Sequence, residues 1–174
     1  DGVVQDVRQR YIGSVLGLTW VVLFPLLQLS IYAVLYSFVF RVKPAGLDRF
    51  GYIIMVFSGL VPLMTFSEAL NMSINSLQAN KNLLLNTVFP AELIPLRAAL
   101  AAQTPGLVGL IITLIAGVAL GRTGWQAIFL IPVFWILLLM FAAGLGWVLS
   151  LFSLVARDIQ QGISLIIMVL FFLS

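Results

Sequence analysis

The strongest constraint on this chain is a succession of long, nearly uncharged apolar segments separated by short polar ones. A helix needs about 20 apolar residues to cross the hydrocarbon core of a bilayer. Four segments reach that length and a fifth begins near the end, at residues 14–40, 51–70, 94–120, 125–155 and from 159 onward. Hydrophobic residues make up 62% of the chain and charged residues only 9%, against about 25% charged in soluble domains. The pattern predicts an all-α integral membrane protein, a polytopic helical bundle forming one transmembrane domain over residues 1–174.

The two ends of the sequence indicate a fragment of a longer protein. The chain begins at Asp1 without a Met and stops at Ser174 inside an apolar run. We therefore expect about five spans here, the last one truncated, with the C-terminal part of the domain missing. Residues 1–11 are polar but place apolar side chains at helical spacing, which predicts a short amphipathic helix lying in the membrane interface.

The composition excludes several kinds of chemistry. The chain has no Cys and no His, so it has no thiolate or imidazole metal ligands, disulfides, Cys nucleophiles or His bases. It contains no Gly-x-x-x-x-Gly-Lys-Ser/Thr run and hence no P-loop. Its net charge is +3, but the basic residues are scattered singly and form no nucleic-acid-binding patch. We expect neither metal nor cofactor on this chain, and a membrane-embedded transferase would lack obvious catalytic groups.

The longest polar interruption is the segment of residues 68–97, which we call the elbow. Polar side chains recur there at steps of three and four residues, and apolar side chains occupy the opposite face, as in an amphipathic helix. The polar set is Glu68, Asn71, Asn75, Gln78 and Asn82, and the apolar set is Leu70, Ile74 and Leu77. The predicted helix then breaks, and the chain turns back through Pro90 and Pro95. A soluble partner could push on such an elbow, although the pattern alone favours an ordinary solvated loop.

The first span carries a series of large side chains at four-residue steps. Its members include Trp20, Phe24, Gln28, Tyr32 and Tyr36. Because four residues overshoot one helical turn by about 40°, the series winds slowly around the helix. Aromatic residues in spans commonly pack against other helices or sit in interfacial belts. The Gln amide and the Tyr hydroxyls need partners in the protein or in a conduit, so we treat the series as candidate conduit lining.

Glu68 is the carboxylate nearest to a membrane interior. Acids inside spans are costly and often mark ion pathways. Glu68, however, is predicted near the end of the second span, beside the polar residues that follow it. This position favours a polar boundary residue over a proton relay.

Glycine and proline positions predict turns, bends and close helix contacts. The Gln-Thr-Pro-Gly run at residues 103–106 should interrupt and bend the third span, and residues 121–124 are long enough only for a tight turn. Small side chains allow neighbouring helices to approach closely. The candidates for such contacts are the cluster Ala142, Ala143, Gly144 and Gly146, and the Gly-x-x-x-Gly pairs Gly13 with Gly17 and Gly117 with Gly121.

Several stretches resemble the permease subunit of bacterial polysaccharide-exporting ABC transporters. RYIGSVLGLTWVVLFPLLQLSIYAVLYSFVF (residues 10–40) resembles its first span. FSGLVPLMTFSEALNMSINSLQANKNLL (residues 57–85) with VFPAELIPL (residues 88–96) resembles its second span and cytosolic elbow. Ala156-Arg157-Asp158 is similar to the Arg-Asp pair at the next cytosolic turn. The similarity covers nearly the whole chain, with the motifs in the family's order.

This resemblance implies a six-span permease that forms a homodimer in the bacterial inner membrane. A separate nucleotide-binding subunit would bind ATP and Mg²⁺ and hydrolyse ATP, and the permease itself would be non-catalytic. The substrate would be an O-antigen, capsule or teichoic-acid chain on a lipid carrier. By similarity, contact with the ATPase is expected at the N-terminal helix and the elbow. The residues expected there are Arg8, Arg10, Leu77, Lys81, Leu84, Asn86 and Val88. An ion-coupled secondary carrier using Glu68, and an ABC permease for other lipids or drugs, remain the alternatives.

Overall fold

The computed structural model describes residues 19–35, 48–81, 84, 90–121, 123–155 and 158–173. These residues form five helices, and the described ranges contain no strand. The helices are α1 (Trp20–Val34), α2 (Arg49–Ala79), α3 (Leu93–Ala119), α4 (Gln126–Val155) and α5 (Asp158–Leu173). The all-helical prediction is confirmed. The predicted interfacial helix at residues 1–11 and the Gly13–Gly17 pair lie outside the described residues.

Three of the helices are long and apolar enough to cross a membrane. They are Phe50–Ala79, Leu93–Ala119 and Gln126–Val155, with 27 to 30 residues each. At about 1.5 Å per residue, each is at least as long as the roughly 30 Å hydrocarbon core. The parts of α1 and α5 that the structure describes are shorter, at 15 and 16 residues. The second span was predicted to end at residue 70, but its helix continues to Ala79 and carries the polar stripe of the elbow with it.

Helix α2 lies at the centre of the bundle and packs most extensively against α3 and α4. Where these three helices meet, the core is built from alanines, each fully or almost fully buried: Ala69, Ala99, Ala102 and Ala142. Small side chains let helix backbones approach closely, so these helices make van der Waals contact without large side chains between them. A second core cluster of Phe57, Val61 and Trp135 joins α2 to α4.

Three of the four members of the small-residue cluster in α4 are buried in the bundle. Ala142, Ala143 and Gly146 are buried, whereas Gly144 is exposed. A Cβ atom added at Gly146 would lie 2.7 Å from the Cβ of Ser73, a distance that Cβ atoms in proteins essentially never show. The predicted close approach is therefore confirmed at Gly146 but does not extend to Gly144.

The turn between α3 and α4 is as short as predicted. Gly121 adopts a positive φ of 64°, a left-handed conformation that glycine takes without steric cost. The backbone N–H of Thr123 donates to the carbonyl of Gly117 at 3.2 Å and closes the end of α3. Gly121 thus serves the turn, and a Cβ added there would meet no atom within 4 Å, so the predicted helix contact is wrong for Gly121. Gly117 is buried, and a Cβ added to it would lie 3.9 Å from the side chain of Ile54 in α2.

Helix α3 runs through residues 103–106 without interruption, so the predicted break is wrong, and the predicted bend stays a prediction. Pro105 lacks an N–H and removes only one backbone hydrogen bond, a loss that packed membrane helices tolerate. Gly106 is buried against Thr65 of α2, and a Cβ at this position would overlap the Thr65 side chain. Packing at Gly106 therefore holds the helix where the sequence indicated a break.

Candidate functional site

The polar stripe of the elbow turns toward cavities within the bundle. Its apolar counterpart, Leu70, Ile74 and Leu77, is buried in the core at 4%, 0% and 3% exposure. The polar residues from Glu68 to Gln78 are half-buried, which confirms the predicted two-faced helix over this range. Asn82 lies outside the described residues. Because these polar residues belong to α2 itself, they lie on a membrane-spanning helix and do not form a separate loop.

The first of these spaces, which we call the central cavity, has a volume of about 610 Å³. It lies between α1, α2, α3 and α5. Phe24 and Gln28 contribute from α1, and Glu68 and Asn71 from α2. Apolar side chains such as Met64 complete much of the wall. The cavity therefore combines an aromatic face with amide and carboxylate groups, a mixture that can replace water around a hydroxyl-rich molecule.

The structure brings only part of the candidate conduit series to this cavity. Phe24 and Gln28 line it, whereas Trp20 and Tyr32 are half-buried on α1 and are not among its lining residues. Tyr36 lies outside the described residues. The four-residue step explains why only some members line the cavity. Each member is rotated by about 40° around the helix axis from the one before it, so the series does not stay on one face. Whether Phe24 and Gln28 contact a substrate stays a prediction.

A second space of about 580 Å³, the arginine cavity, adjoins the first along α2. Glu68 and Asn71 line both cavities, and Asn75 and Arg97 line the arginine cavity alone. The guanidinium of Arg97 supplies rigidly arranged N–H donors that suit carboxylate, phosphate or hydroxyl oxygens. Asn75 donates an amide hydrogen bond to the carbonyl of Asn71 at 2.9 Å, which fixes its side chain along the stripe.

Sequence reasoning missed Arg97 as a site residue. In the sequence it is only the last residue of the elbow, yet it lies in the first turns of α3 and lines the arginine cavity together with the stripe of α2. A signal was present in the sequence, because Arg97 is the single charge in the otherwise apolar run LIPLRAALAA at residues 93–102. A lone ionisable residue in an apolar helix commonly faces the bundle interior or a polar cavity.

Glu68 lies farther from the end of its helix than the sequence indicated. The helix continues from Glu68 to Ala79, so the carboxylate is within α2 and not at its end. Measured from Phe50 at about 1.5 Å per residue, Glu68 lies about 27 Å along the helix axis, close to one hydrocarbon thickness of roughly 30 Å. This length is compatible with the boundary position predicted for Glu68, although the helix does not stop there.

Hydrogen bonds between helices hold the elbow end of the bundle together. The Oγ–H of Ser73 donates to the backbone carbonyl of Pro95 at 3.2 Å, which ties α2 to α3. The indole Nε1–H of Trp147 donates to the carbonyl of Glu92 at 2.8 Å, which ties α4 to the turn before α3. Bonds of this kind between backbone and side chain fix the relative positions of the three helices. A displacement of the elbow would therefore also displace α4, in addition to α2 and α3.

The residues proposed to couple to an ATPase fall into three groups. Lys81 is exposed and Leu84 is half-buried. Leu77 is buried in the core at 3% exposure, where packing on α2 is its evident role and direct contact with a partner is blocked. Arg8, Arg10, Asn86 and Val88 lie outside the described residues. Coupling at the elbow stays a prediction, and the exposed Lys81 is its most accessible described member.

Long apolar helices packed around two cavities that carry polar side chains define a helical integral membrane protein with partly polar spaces between its helices. The family model for ABC-2 type transporters matches residues 3–174, which is almost the entire sequence, and the chain belongs to this family.

Curated relatives agree with this assignment. The chain is 27% identical over 170 residues to the O-antigen export system permease protein RfbA of Myxococcus xanthus, covering 98% of this chain and 64% of that protein. It is 29% and 28% identical to two O-antigen export system permease proteins RfbA of Klebsiella pneumoniae, each alignment covering 97% of this chain and 63% of the relative. The chain thus spans somewhat less than two thirds of the length of these relatives.

Proposed function

We propose that this chain forms the transmembrane permease part of an ATP-driven ABC exporter that moves a lipid-linked polysaccharide across the bacterial inner membrane. Its membership of the ABC-2 transporter family and its similarity to O-antigen export permeases support this function. The observation that carries the proposal is the polar stripe of α2, because its Glu68 and Asn71 form a wall common to two cavities between the spans. Capsule and teichoic-acid polymers remain alternative substrates.

The chemistry of the two cavities suits a substrate rich in hydroxyl groups. A sugar chain entering hydrocarbon would lose its hydrogen bonds to water, at a cost of several kcal/mol for each unpaired polar group. Amide, carboxylate and guanidinium groups along α2 and α3 can offset that loss. The face of Phe24 can support the C–H edges of sugar rings by weak contacts that do not stall the polymer.

The permease itself would be non-catalytic and would act as a homodimer. ATP and Mg²⁺ would bind to a separate nucleotide-binding subunit, whose movements would reach the cavities through the elbow. The hydrogen bond of Ser73 with Pro95 supports this route, because it joins α2 to α3, and both of these helices line the central and arginine cavities.

The test is an uncoupling experiment on the complete permease, coexpressed with its nucleotide-binding subunit and reconstituted into vesicles. Lys81→Glu reverses an exposed charge, and Leu84→Pro removes the N–H that donates to the carbonyl of Asn80 at 3.1 Å. Both should leave membrane insertion and ATP hydrolysis largely intact while reducing polymer transport per ATP hydrolysed. Lys81→Arg and Leu84→Ala keep the charge and the N–H respectively, and serve as matched controls. Normal export by both variants at normal expression would show that the elbow is only a structural loop without a role in coupling.

An ion-coupled carrier is the second candidate, and one observation favours it. Glu68 contributes a carboxylate to both cavities, as a proton-carrying group would be placed. Transport driven by a proton gradient without any nucleotide-binding subunit would favour this candidate over the exporter.

A further inference from the structure

The last turns of α4, residues 146–155, are attached to the bundle through small side chains. The buried members of this segment are Gly146, Ser150 and Ser153. Its large apolar side chains are not fully buried, and Leu151 and Val155 are 63% and 89% exposed. The segment therefore buries little apolar surface, and little hydrophobic free energy holds it in place.

Hydrogen bonds attach the segment to α2 instead, and one of them has two possible acceptors. The Oγ of Ser153 lies 2.9 Å from the carbonyl oxygen of Ile74 in α2 and 2.7 Å from the carbonyl oxygen of Ser150 in α4. A hydroxyl has a single proton, so Ser153 can donate fully to only one of these carbonyls. Donation to Ile74 joins the two helices, whereas donation to Ser150 keeps the bond within α4. The same hydroxyl thus has an acceptor whether or not the helices are joined.

The groups on α2 also keep partners when this bond opens. The carbonyl of Ile74 lies within α2, where helix geometry gives it the backbone N–H of Gln78 as a donor. The side-chain amide of Gln78 forms the second bond to the segment, at 2.6 Å from the carbonyl of Ser153. Gln78 lies about 42 Å along the helix axis from Phe50, at the edge of a bilayer that is about 40–45 Å thick with its headgroups. Water can therefore replace the bond of Gln78.

Gly146 marks the level at which α4 is held most firmly. A Cβ atom added there would lie 2.7 Å from the Cβ of Ser73, so the two helix backbones are in close contact. Next to it, the indole Nε1–H of Trp147 donates to the carbonyl of Glu92 at 2.8 Å. The residues after Trp147 can thus move about this level while the rest of α4 stays packed, as in a hinge.

The end of α4 leads into a wall of the central cavity. Helix α4 ends at Val155 and α5 begins at Asp158. Ser164 and Ile167 of α5 line the central cavity, and its other lining residues belong to α1, α2 and α3. A displacement of the end of α4 would therefore carry α5 away from the rest of the cavity wall.

We propose that residues 147–155 form a latch on α2 that controls access to the central cavity. In the closed state, Ser153 donates to the carbonyl of Ile74. In the open state, its proton turns to the carbonyl of Ser150, water replaces Gln78 as the donor to Ser153, and α5 moves with the end of α4. The latch goes beyond the proposed function, because it admits or excludes whichever molecule the cavity carries.

The test is pulsed electron paramagnetic resonance on the complete permease in lipid nanodiscs, with labelled protomers diluted in unlabelled ones. Residues 1–174 contain no Cys, so pairs of introduced cysteines can carry the spin labels, any Cys outside this range being replaced by Ser. Ala79→Cys with Leu151→Cys labels exposed positions of α2 and α4 at the elbow end. Met55→Cys with Phe134→Cys labels exposed positions of the same helices at the opposite end. The elbow pair should show a short and a long distance, and the reference pair a single one.

Two alanine variants distinguish the hydrogen bond from packing. Ser153→Ala removes the hydroxyl shared with Ile74 and should lower the ratio of short to long distances roughly 2- to 12-fold, the range for one ordinary hydrogen bond. Ser150→Ala makes the same change at an equally buried residue, whose hydroxyl donates its single proton to the carbonyl of Trp147 in its own helix. This control should leave the ratio unchanged. An unchanged ratio in Ser153→Ala, or an equal change in both variants, would overturn the latch.

Access to the central cavity is measured separately with Gln28→Cys, because residue 28 lines that cavity. The rate at which a water-soluble maleimide alkylates the introduced thiol should follow the population of the open state. Ser153→Ala should therefore accelerate alkylation roughly 2- to 12-fold, and Ser150→Ala should not. A changed distance ratio with an unchanged alkylation rate would overturn the control of access. Neither measurement involves transport, so a failure of the exporter assignment could not be mistaken for a failure of the latch.

Discussion

The side-chain amide of Gln78 donates a hydrogen bond of 2.6 Å to the backbone carbonyl of Ser153. Ser153 lies in the last turn of α4, where carbonyls lack partners within their own helix. The hydroxyl of Ser153 is in turn within 2.9 Å of the carbonyl of Ile74 and 2.7 Å of the carbonyl of Ser150, and its single proton serves these two acceptors. One side chain from the polar stripe of α2 thus caps α4 and joins the two helices at the elbow end of the bundle.

Replacing Gln78 should weaken this junction. Gln78→Met keeps the length of the side chain but removes the amide, so the buried carbonyl of Ser153 loses its donor. We expect the variant to be less stable by about 1–3 kcal/mol, the usual cost of an unsatisfied buried acceptor. Thermal unfolding of the purified permease in detergent measures the effect. Gln126→Met makes the same exchange at an exposed position and is the control; equal unfolding temperatures for the two variants would contradict the role given to Gln78.

Two glycines in α4 provide a matched test of helix packing. Gly146→Ala places a Cβ 2.7 Å from the Cβ of Ser73, so the helices must separate, at a cost of about 1–3 kcal/mol for overpacking. Gly144→Ala meets no atom within 4 Å and should stabilise α4 by up to about 1 kcal/mol through helix propensity. The yield of folded protein and its unfolding temperature should therefore move in opposite directions. A parallel response at both positions would show that α2 and α4 do not approach as closely as described.

Much of this fold could be predicted because the hydrocarbon core of a bilayer strongly restricts the sequences and structures that can cross it. An apolar run long enough to cross a bilayer must be helical, since its backbone groups have no other hydrogen-bond partners. That rule located α3 and α4 almost to the residue. It located the end of α2 poorly, because residues 71–79 are too polar to count as a span and yet continue the same helix.

Contacts between distant segments could not be derived in this way. The sequence predicted that Gly146 packs closely against another helix, but not that its neighbour is Ser73. It identified the stripe of α2, but not the placement of Arg97 opposite the stripe in the arginine cavity. These pairings depend on how the helices are arranged around one another, and amphipathic periodicity describes only one helix at a time.

The two functional candidates give opposite predictions at Glu68. Glu68→Gln preserves the shape and most of the hydrogen-bonding capacity of the side chain but removes its charge. If the chain belongs to an ATP-driven exporter, transport should continue in the variant with an unchanged dependence on pH. Export by reconstituted vesicles, followed between pH 6 and 8 with and without a proton gradient, is the measurement. Loss of transport, together with a requirement for the gradient in the wild type, would instead support the ion-coupled carrier.

The face of α1 that lines the central cavity can be tested with a matched pair of truncations. Phe24 and Leu27 are similarly exposed, at 51% and 45%, but only Phe24 lines the cavity. If sugar rings pass over Phe24, the loss of a contact worth about 1 kcal/mol in Phe24→Ala should slow export roughly fivefold. Leu27→Ala should export normally. Both variants should be expressed at wild-type levels, because neither residue is part of the buried core.

Substitution of Tyr32 distinguishes a role in lining the conduit from a role in helix packing, on the same helix as Phe24. It is half-buried and is not among the residues lining the central cavity, so packing against neighbouring helices predicts less folded protein for Tyr32→Ala. The loss should be smaller than the roughly 3–5 kcal/mol of a fully buried aromatic residue, because part of the ring is already exposed.

A conduit role predicts the reverse: normal amounts of folded protein and ATPase complex but less polymer at the cell surface, with Tyr32→Phe milder than Tyr32→Ala. Quantifying folded protein and exported polymer in the same cells distinguishes the two. Normal export by every folded variant of Phe24, Gln28 and Tyr32 would show that the polymer does not travel along this face of α1.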